Sequence, residues 1–288
     1  MPYLLAVASA LLYGAADFTG GLATRRAGTI PVVVLSQLSG LVLLALLMPL
    51  LPDSSPSRAD LLWGVAAAIT GGIGVALLYR ALSIGRMAVV APTTAVCAVA
   101  IPVIVSVLLG ERPAPLAVGG IALGVVSIVL VSQHTGPEPE ARGAVSAGRL
   151  PPGVGMALVS GVAIGFFFLS LAQTRPEAGM WPILVSRLTS VTLFAALAAA
   201  RGESLRMPAG VAGFVVVCGA VDMLANALYL LAVRSGPLSM VVTLSSLYPA
   251  STVLLARVVL GERLNARQIT GVGCALAAIV LIVSGRPG

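Results

Sequence analysis

The protein has 288 residues, of which 58% are hydrophobic and only 9% are charged, whereas a soluble domain carries about 25% charged residues. This composition excludes a soluble globular protein and a disordered chain. The net charge of +7 comes from arginines that lie almost wholly between apolar runs, where such residues anchor a chain at lipid headgroups. The basic charge therefore indicates a lipid bilayer as partner and excludes nucleic acid.

Along the chain, the apolar runs predict ten membrane-spanning helices with short connections between them. A helix needs about 20 apolar residues to cross the hydrocarbon core of a bilayer, and runs of about that length fill the sequence. The predicted fold is therefore an all-α integral membrane protein. The ten predicted spans are 4–22, 30–51, 61–80, 87–109, 115–132, 153–172, 181–200, 209–232, 238–260 and 266–284.

The two halves of the chain resemble each other in sequence. Residues 76–130 align without gaps on residues 227–281 with 14 identities in 55 positions, and a Gly-Glu-Arg motif occurs at 110–112 and again at 261–263. Apolar composition alone produces matching Leu and Val residues but not a coincident Gly-Glu-Arg motif. We therefore predict an internal repeat.

The first helices of the two halves match more weakly. Small residues at 14–16 resemble those at 161–163, an alignment that sets Ile164 against Asp17. The repeat thus extends over both halves, but this part of the alignment rests on few residues.

Each half contains five predicted spans, and this odd number has a topological consequence. The second half must enter the membrane in the opposite orientation, which makes the chain an inverted repeat. The polar segment 133–152 separates a first repeat at 1–132 from a second at 153–288. Two near-equivalent halves can exchange conformations around a site at the membrane midplane, which favours a transporter with alternating access.

These features resemble the EamA-type transporters of the drug/metabolite transporter superfamily. They comprise ten spans in two five-helix repeats, an Ala-Leu-x-x-x-Ala-x-x-x-Gly stretch that begins at 76 and at 227, and a Gly-Glu-Arg motif after the fourth helix of each half. The resemblance covers essentially the whole chain. It implies a secondary transporter of the cell inner membrane that exports amino acids or similar small metabolites.

An ionisable side chain at the centre of a span costs about 2.5 to 3.5 kcal/mol on insertion scales, so each one suggests a function. Arg187 and Asp222 lie in neighbouring antiparallel spans, roughly 9 and 15 Å from the same membrane face at about 1.5 Å per residue. We expect them to form a buried ion pair that either locks two helices or binds a substrate carboxylate. Asp222, Asn226 and Tyr229 share one helix face, which we expect to line a cavity.

Asp17 is the other acidic residue inside a span, and Tyr13 lies one helical turn before it. Four-helix relatives in the superfamily carry an acidic residue in their first helix that couples transport to protons, and Asp17 is similar in kind. Removal from water favours the protonated form of a carboxyl group. Asp17 and Asp222 are therefore candidate proton carriers, the alternative being structural aspartates bonded to nearby backbone or hydroxyl groups.

Three further polar or aromatic residues are substrate-site candidates. Gln37 in the second span and Arg187 in the seventh occupy corresponding places, and the family resemblance puts polar residues of these helices near the central cavity. Phe167 and Tyr248 are candidates for a pocket that accepts an apolar side chain. Packing is the alternative for both aromatic residues.

Prolines and small residues predict where helices bend and where they pack. Pro92 and Pro102 in the fourth span and Pro249 in the ninth are hinge candidates, because proline interrupts the hydrogen-bond ladder of a helix. Small residues four apart at 120–124 and 271–275 predict close helix packing. We expect this packing between the repeats of a monomer, with a weak homodimer as the alternative.

The orientation of the chain has two conflicting indications. Nine arginines of loops and tails fall on the side of the membrane opposite the termini and five on the terminal side. The positive-inside rule then places both termini outside, whereas the usual description of the family places both in the cytoplasm.

Other functional classes find little support. The single histidine, His134, lies in the polar segment, and the chain has no lysine and hence no Gly-x-x-x-x-Gly-Lys motif for nucleotide binding. We therefore expect no enzyme, no cofactor and no metal site, and a small molecule as partner. An exporter of amphiphilic cations or drugs, a channel and a non-transporting membrane receptor remain alternatives.

Overall fold

The computed structural model describes residues 2–110, 114–132, 150–235, 244–245 and 247–284. Within these residues the chain forms ten α-helices of at least 12 residues, numbered α1 to α10 in chain order, and no β-strand. They are α1 Pro2–Ala27, α2 Thr29–Leu47, α3 Arg58–Ile84, α4 Met87–Leu108, α5 Pro115–Ser132, α6 Val154–Ala172, α7 Trp181–Ala200, α8 Ala209–Ser235, α9 Tyr248–Val259 and α10 Ala266–Ser284.

The helices fall on the ten predicted spans and confirm the predicted fold class. In the described part of the chain, seven helices are long and apolar enough to cross a membrane, and α4, α5 and α9 contribute shorter apolar helices. The ninth span, predicted at 238–260, differs most: residues 244–245 are helical and a regular helix begins only at Tyr248. Residues 236–243 and 246 lie outside the described residues, as does the connecting segment at 133–149.

The predicted hinge prolines take two different positions. Pro92 and Pro102 lie inside α4, which continues through both of them. Pro249 lies in the first turn of α9, where its missing N–H group has no helical partner to lose. Pro249 therefore marks the start of a helix instead of a kink within one.

The glycine of each Gly-Glu-Arg motif ends a helix. Gly261 follows α9 with φ of 66°, and Gly110 follows α4 with φ of 89°, a left-handed conformation that glycine adopts without steric cost. After Gly261, the N–H of Glu262 donates to the carbonyl of Ala256 at 3.2 Å, as in a common helix C-cap. The left-handed turn at the end of the helix therefore explains the glycine of the motif.

The helices of the two repeats interlock with twofold pseudosymmetry. The first helix of each repeat packs against the third helix of the other, so α1 contacts α8 and α6 contacts α3. The equivalent helices α2 and α7 pack against each other, as do α5 and α10. Each repeat therefore buries its apolar surface mainly against the other repeat.

Hydrogen bonds between the repeats follow the same symmetry. Ser9 Oγ donates to the carbonyl of Ala225 at 2.8 Å, and Ser160 Oγ donates to the carbonyl of Gly74 at 2.7 Å. Donors and acceptors of the two bonds are each 151 positions apart, the spacing of the alignment between residues 76–130 and 227–281. A second pair with this spacing joins Thr94 to Ala157 at 3.2 Å and Ser245 to Ala6 at 3.4 Å.

This constant spacing corrects the alignment of α1 with α6. The weak match of the small residues at 14–16 and 161–163 places the helices one turn out of register. With the spacing of 151, the position equivalent to Asp17 is Phe168 and not Ile164. No acidic residue stands opposite Asp17 in either alignment.

The helix order defines two sides of the membrane. We call the side where α1 begins and α10 ends the terminal side, and it also holds the connections at 48–57 and 173–180. We call the other side the distal side, and it holds the connections at 85–86, 201–208 and 260–265.

The small residues of α5 face the second repeat. A Cβ atom at Gly120 would lie 2.8 Å from the backbone nitrogen of Ile282 and 2.9 Å from the carbonyl oxygen of Ala278, both in α10. These are backbone atoms that cannot move aside as a flexible side chain can. The residues at 120–124 therefore pack the two repeats together, which was the favoured prediction.

We expect Gly120→Ala to destabilise the protein by about 1 to 3 kcal/mol, the usual cost of overpacking. The adjacent Gly119 is a matched control, because a Cβ atom there meets no neighbour within 4 Å. Gly119→Ala should be neutral or stabilise the helix by up to about 1 kcal/mol. Thermal unfolding of the two variants in detergent measures the difference, and equal melting temperatures would contradict the packing.

Candidate functional site

Two oppositely charged side chains meet between α7 and α8 within the membrane. Arg187 Nη2 donates to the carboxylate of Asp222 and forms an ion pair with it. Arg187 Nη1 donates to Gln37 Oε1 of α2 at 2.9 Å. The Arg187 side chain is 9% exposed and that of Asp222 28%. The structure thus contains the expected ion pair and adds Gln37 as a third member.

Two glycines bring α2, α7 and α8 close enough for these contacts. A Cβ atom at Gly40 would lie 2.6 Å from Arg187 Nη1, and one at Gly219 would lie 2.0 Å from the carbonyl oxygen of Ser36. Any larger residue at Gly40 would occupy the space of the guanidinium group. The backbone at these positions therefore shapes the site as much as the charged side chains do.

A small polar cavity adjoins the ion pair. Its volume is about 30 Å³, room for about two water molecules and far below the roughly 300–1,000 Å³ of ligand pockets. The site is therefore closed around a space smaller than a metabolite. The cavity is lined by Asp17, Ser36, Gln37, Val75, Tyr79, Arg187, Gly219 and Asp222.

The guanidinium group of Arg187 has an unused hydrogen-bond donor. Among the side chains that the structure describes, Arg187 Nε is the one buried nitrogen or oxygen atom without a partner. A buried donor without a partner costs about 1 to 3 kcal/mol. This cost indicates that an acceptor from outside the protein, either water or a ligand oxygen, completes the site.

Tyr79 of α3 is one of the residues that line the cavity. Its side chain is buried, and its hydroxyl lies 3.7 Å from Cys218 Sγ, which donates to the carbonyl of Ala16 at 3.3 Å. The ring lies on Gly20 of α1, where a Cβ atom would be 2.3 Å from its Cζ atom. Motion of α1 relative to α3 would therefore displace this ring.

The predicted aromatic residues lie around the site but do not line the cavity. Tyr13 and Tyr248 pack edge to face with ring centroids 6.4 Å apart. Phe167 covers Gly71 of α3, where a Cβ atom would lie 2.7 Å from its Cδ2 atom. Asn226 Nδ2 donates to the backbone carbonyl of Asp222, one turn earlier in the same helix.

The structure thus brings together four of the residues predicted from sequence, which are Asp17, Gln37, Arg187 and Asp222. Ser36 and Tyr79 were missed as cavity residues. Ser36 had a signal, since it precedes Gln37 and, with the spacing of 151, corresponds to Arg187 of the second repeat. Tyr79 had none, because its place at the cavity depends on how α1 crosses α3.

The site breaks the pseudosymmetry of the fold. Gln37 and Arg187 are 150 positions apart and meet at the contact of α2 with α7. Asp222 corresponds to Gly71 of the first repeat, which Phe167 covers. One repeat therefore presents a carboxylate where the other presents an aromatic ring, so the two ends of a bound molecule would meet different chemistry.

Comparison with known proteins supports the architecture. The sequence profile of the EamA-like transporter family matches residues 1–133 and 151–284. One solved structure, described only as a protein crystal structure, is similar in fold with a TM-score of 0.59 and 16% identity, over 97% of this chain and 95% of that one. No curated protein matches the sequence.

Proposed function

The chain belongs to the EamA-like transporter family and is a multi-pass membrane transporter, and on that premise we propose that it exports amino acids or similar small metabolites. We further propose that it does so from the cell inner membrane, as a monomer, by alternating access between its two repeats. The observation that carries the proposal is the partly buried Arg187–Asp222 ion pair beside a cavity that Asp17 also lines.

Both charges of a zwitterion find a partner at this site. The carboxylate of an amino acid would replace Asp222 on Arg187 and would supply an acceptor for the unpaired Nε donor. The released Asp222, together with Asp17, would then bind the ammonium group. Because one ion pair is exchanged for two, the substrate enters without leaving an unpaired charge in the membrane.

The closed cavity supports a cycle in which the repeats move. A space of about 30 Å³ does not hold an amino acid, so binding requires the helices around it to separate. Inverted repeats supply two equivalent arrangements of such helices, one open to each side. As the protein changes state, one of the two matched hydrogen bonds from Ser9 and Ser160 would become stronger and the other weaker.

The test is a substrate screen with purified protein in liposomes. Proteoliposomes loaded with one labelled amino acid should release it faster than protein-free liposomes when an unlabelled substrate is present outside. We expect neutral amino acids to exchange and molecules that carry only a carboxylate or only an amine to exchange more slowly. If the whole panel moves no faster than in protein-free liposomes, the amino-acid proposal is wrong.

A second candidate function has one specific observation in its favour. Two carboxylates, Asp17 and Asp222, line the cavity together with a single guanidinium group. Without a substrate carboxylate, this excess of negative charge would suit an amphiphilic cation. Transport of such cations, with no exchange of amino acids in the same liposomes, would identify this function instead.

A further inference from the structure

Glu262 of the second Gly-Glu-Arg motif binds the first repeat. Its carboxylate accepts hydrogen bonds from the backbone N–H groups of Met87 and Ala88, both at 3.0 Å. These N–H groups belong to the first turn of α4, which is 175 positions away in sequence from Glu262. The carboxylate therefore caps a helix of the other repeat at the distal side.

The N-terminus of α4 depends on this distant cap. A helix usually takes its cap from Ser, Thr, Asp or Asn just before its first turn, but α4 is preceded by Gly85 and Arg86, which offer no side-chain acceptor. A carboxylate at this end also interacts favourably with the helix dipole. Separation of the repeats at the distal side would remove both contributions.

Arg86 joins the same two turns in the opposite direction. Its Nη1 atom donates to Gln268 Oε1 at 3.0 Å, and its Nη2 atom donates to the carbonyl of Arg263. Gln268 is buried at 5% exposure and is held by Asn265, whose side chain accepts from the Gln268 N–H at 2.8 Å. Reciprocal charged contacts therefore connect the α3–α4 turn with the α9–α10 turn.

A different contact connects the repeats at the terminal side. The buried Asp60 accepts from Arg175 through its backbone N–H at 2.9 Å and through its guanidinium Nη2 at 3.0 Å. The N–H of Ser55 also donates to the carbonyl of Glu177 at 2.9 Å. The α2–α3 and α6–α7 connections are thereby joined.

In the part of the distal side that the structure describes, this terminal contact has no equivalent. With the spacing of 151, the counterpart of Asp60 is Val211, an apolar residue. Val211 and Arg26 line a cavity of about 170 Å³ between the distal ends of α1 and α8. Among the described residues, the charged side chains that join the repeats at the distal side are therefore Glu262 and Arg86.

We propose that Glu262 and Arg86 form a latch between the repeats that holds the distal side closed, and that Asp60 with Arg175 forms the latch of the terminal side. Release of one latch opens the central cavity to that side while the other stays closed. The proposal rests on alternating access but not on the identity of the substrate. Glu262 is partly exposed, so water can replace its contacts when the latch opens.

The test measures access to the cavity from each side. Val75, which lines the cavity, is replaced by cysteine in a background with Cys97→Ala, Cys218→Ser and Cys274→Ala. A membrane-impermeant maleimide is applied to oriented proteoliposomes. Cysteines at the exposed positions 53 and 204 report which side faces outward.

We expect Glu262→Gln and Arg86→Gln to raise the labelling rate from the distal side about tenfold, as the loss of hydrogen bonds to a charged group predicts. Labelling from the terminal side should stay at the parental rate. Asp60→Asn should give the reverse pattern. Glu203→Gln is the matched control, because Glu203 is an exposed distal carboxylate whose partner Arg201 lies in its own repeat, 3.9 Å away.

Two results would overturn the latch. One is labelling of the Glu262 and Arg86 variants at the parental rate from both sides. The other is an equal rise from both sides, which would mean that the contacts only stabilise the fold. Because labelling requires no substrate, either result leaves the proposed amino-acid export untouched, and a negative substrate screen leaves the latch untouched.

Discussion

Replacement of Arg187 by glutamine is expected to reduce amino-acid exchange in liposomes by about 100-fold or more. The guanidinium group would supply at least two charge-assisted hydrogen bonds to the substrate carboxylate, and each bond to a charged group contributes about 1.5 to 3 kcal/mol. Arg187→Lys keeps the charge but loses the planar fork of donors, so we expect it to recover only part of the activity. The control is Arg201→Gln at the end of the same helix, where the side chain is 60% exposed.

Variants of Arg187 and Asp222 distinguish a role of the ion pair in substrate binding from a purely structural role. Asp222→Asn leaves the buried Arg187 cation without its carboxylate, which should destabilise the protein by about 3 to 5 kcal/mol. Arg187→Gln should destabilise the protein less than Asp222→Asn does, because the carboxylate that it leaves unpaired, Asp222, is the more exposed partner at 28%. The double variant should recover stability but not transport. A double variant that transports at the native rate would show that the pair only locks two helices.

The ion pair was predictable because charge is scarce in the spans. Arg187 and Asp222 have few intramembrane partners to choose from, and the rise of a helix places them at depths that a long arginine side chain can bridge. The alignment of α2 with α7 made Gln37 a candidate site residue, but its hydrogen bond with Arg187 was not predicted. Such inferences work when few residues can satisfy a strong physical requirement.

The role of the Gly-Glu-Arg motif was not predictable in the same way. Its glycine follows from the turn that ends a helix, and the sequence pattern identified the turn. The partners of Glu262 are backbone N–H groups, which every helix start offers and which leave no mark in the sequence. Only the packing of α4 against α9 and α10 determines which helix receives the cap.

The register of α1 shows a further limit of sequence comparison. Small residues recur often in α1 and α6, so an alignment displaced by one turn matches as many of them. The hydrogen bonds from Ser9 and Ser160 fix the register because each needs one specific carbonyl. Phe167, which was a pocket candidate with packing as the alternative, packs over Gly71 in the structure.

Asp17 has a separate expected role, which is coupling to protons. In the substrate-free protein Arg187 pairs with Asp222, so the second carboxylate in the same cavity would be balanced by a proton. In the substrate-bound protein it would share the ammonium group of the substrate with the released Asp222. We propose that the proton and the ammonium group alternate at Asp17, so that export of one substrate accompanies entry of one proton. A single coupled proton supports up to about tenfold accumulation per unit of pH difference.

We therefore expect Asp17→Asn to keep substrate exchange at equal pH but to lose all accumulation that a pH difference drives. Exchange survives because asparagine can still accept a hydrogen bond from the ammonium group, whereas it has no proton to exchange. Asp53→Asn, at an exposed terminal-side loop position, is the control and should accumulate like the native protein. The measurement is uptake of labelled substrate into liposomes with and without an imposed pH step. Accumulation by Asp17→Asn equal to that of the native protein would assign the coupling elsewhere. Loss of exchange together with accumulation would mean that substrate binding requires the charge of Asp17 and not only a hydrogen-bond acceptor.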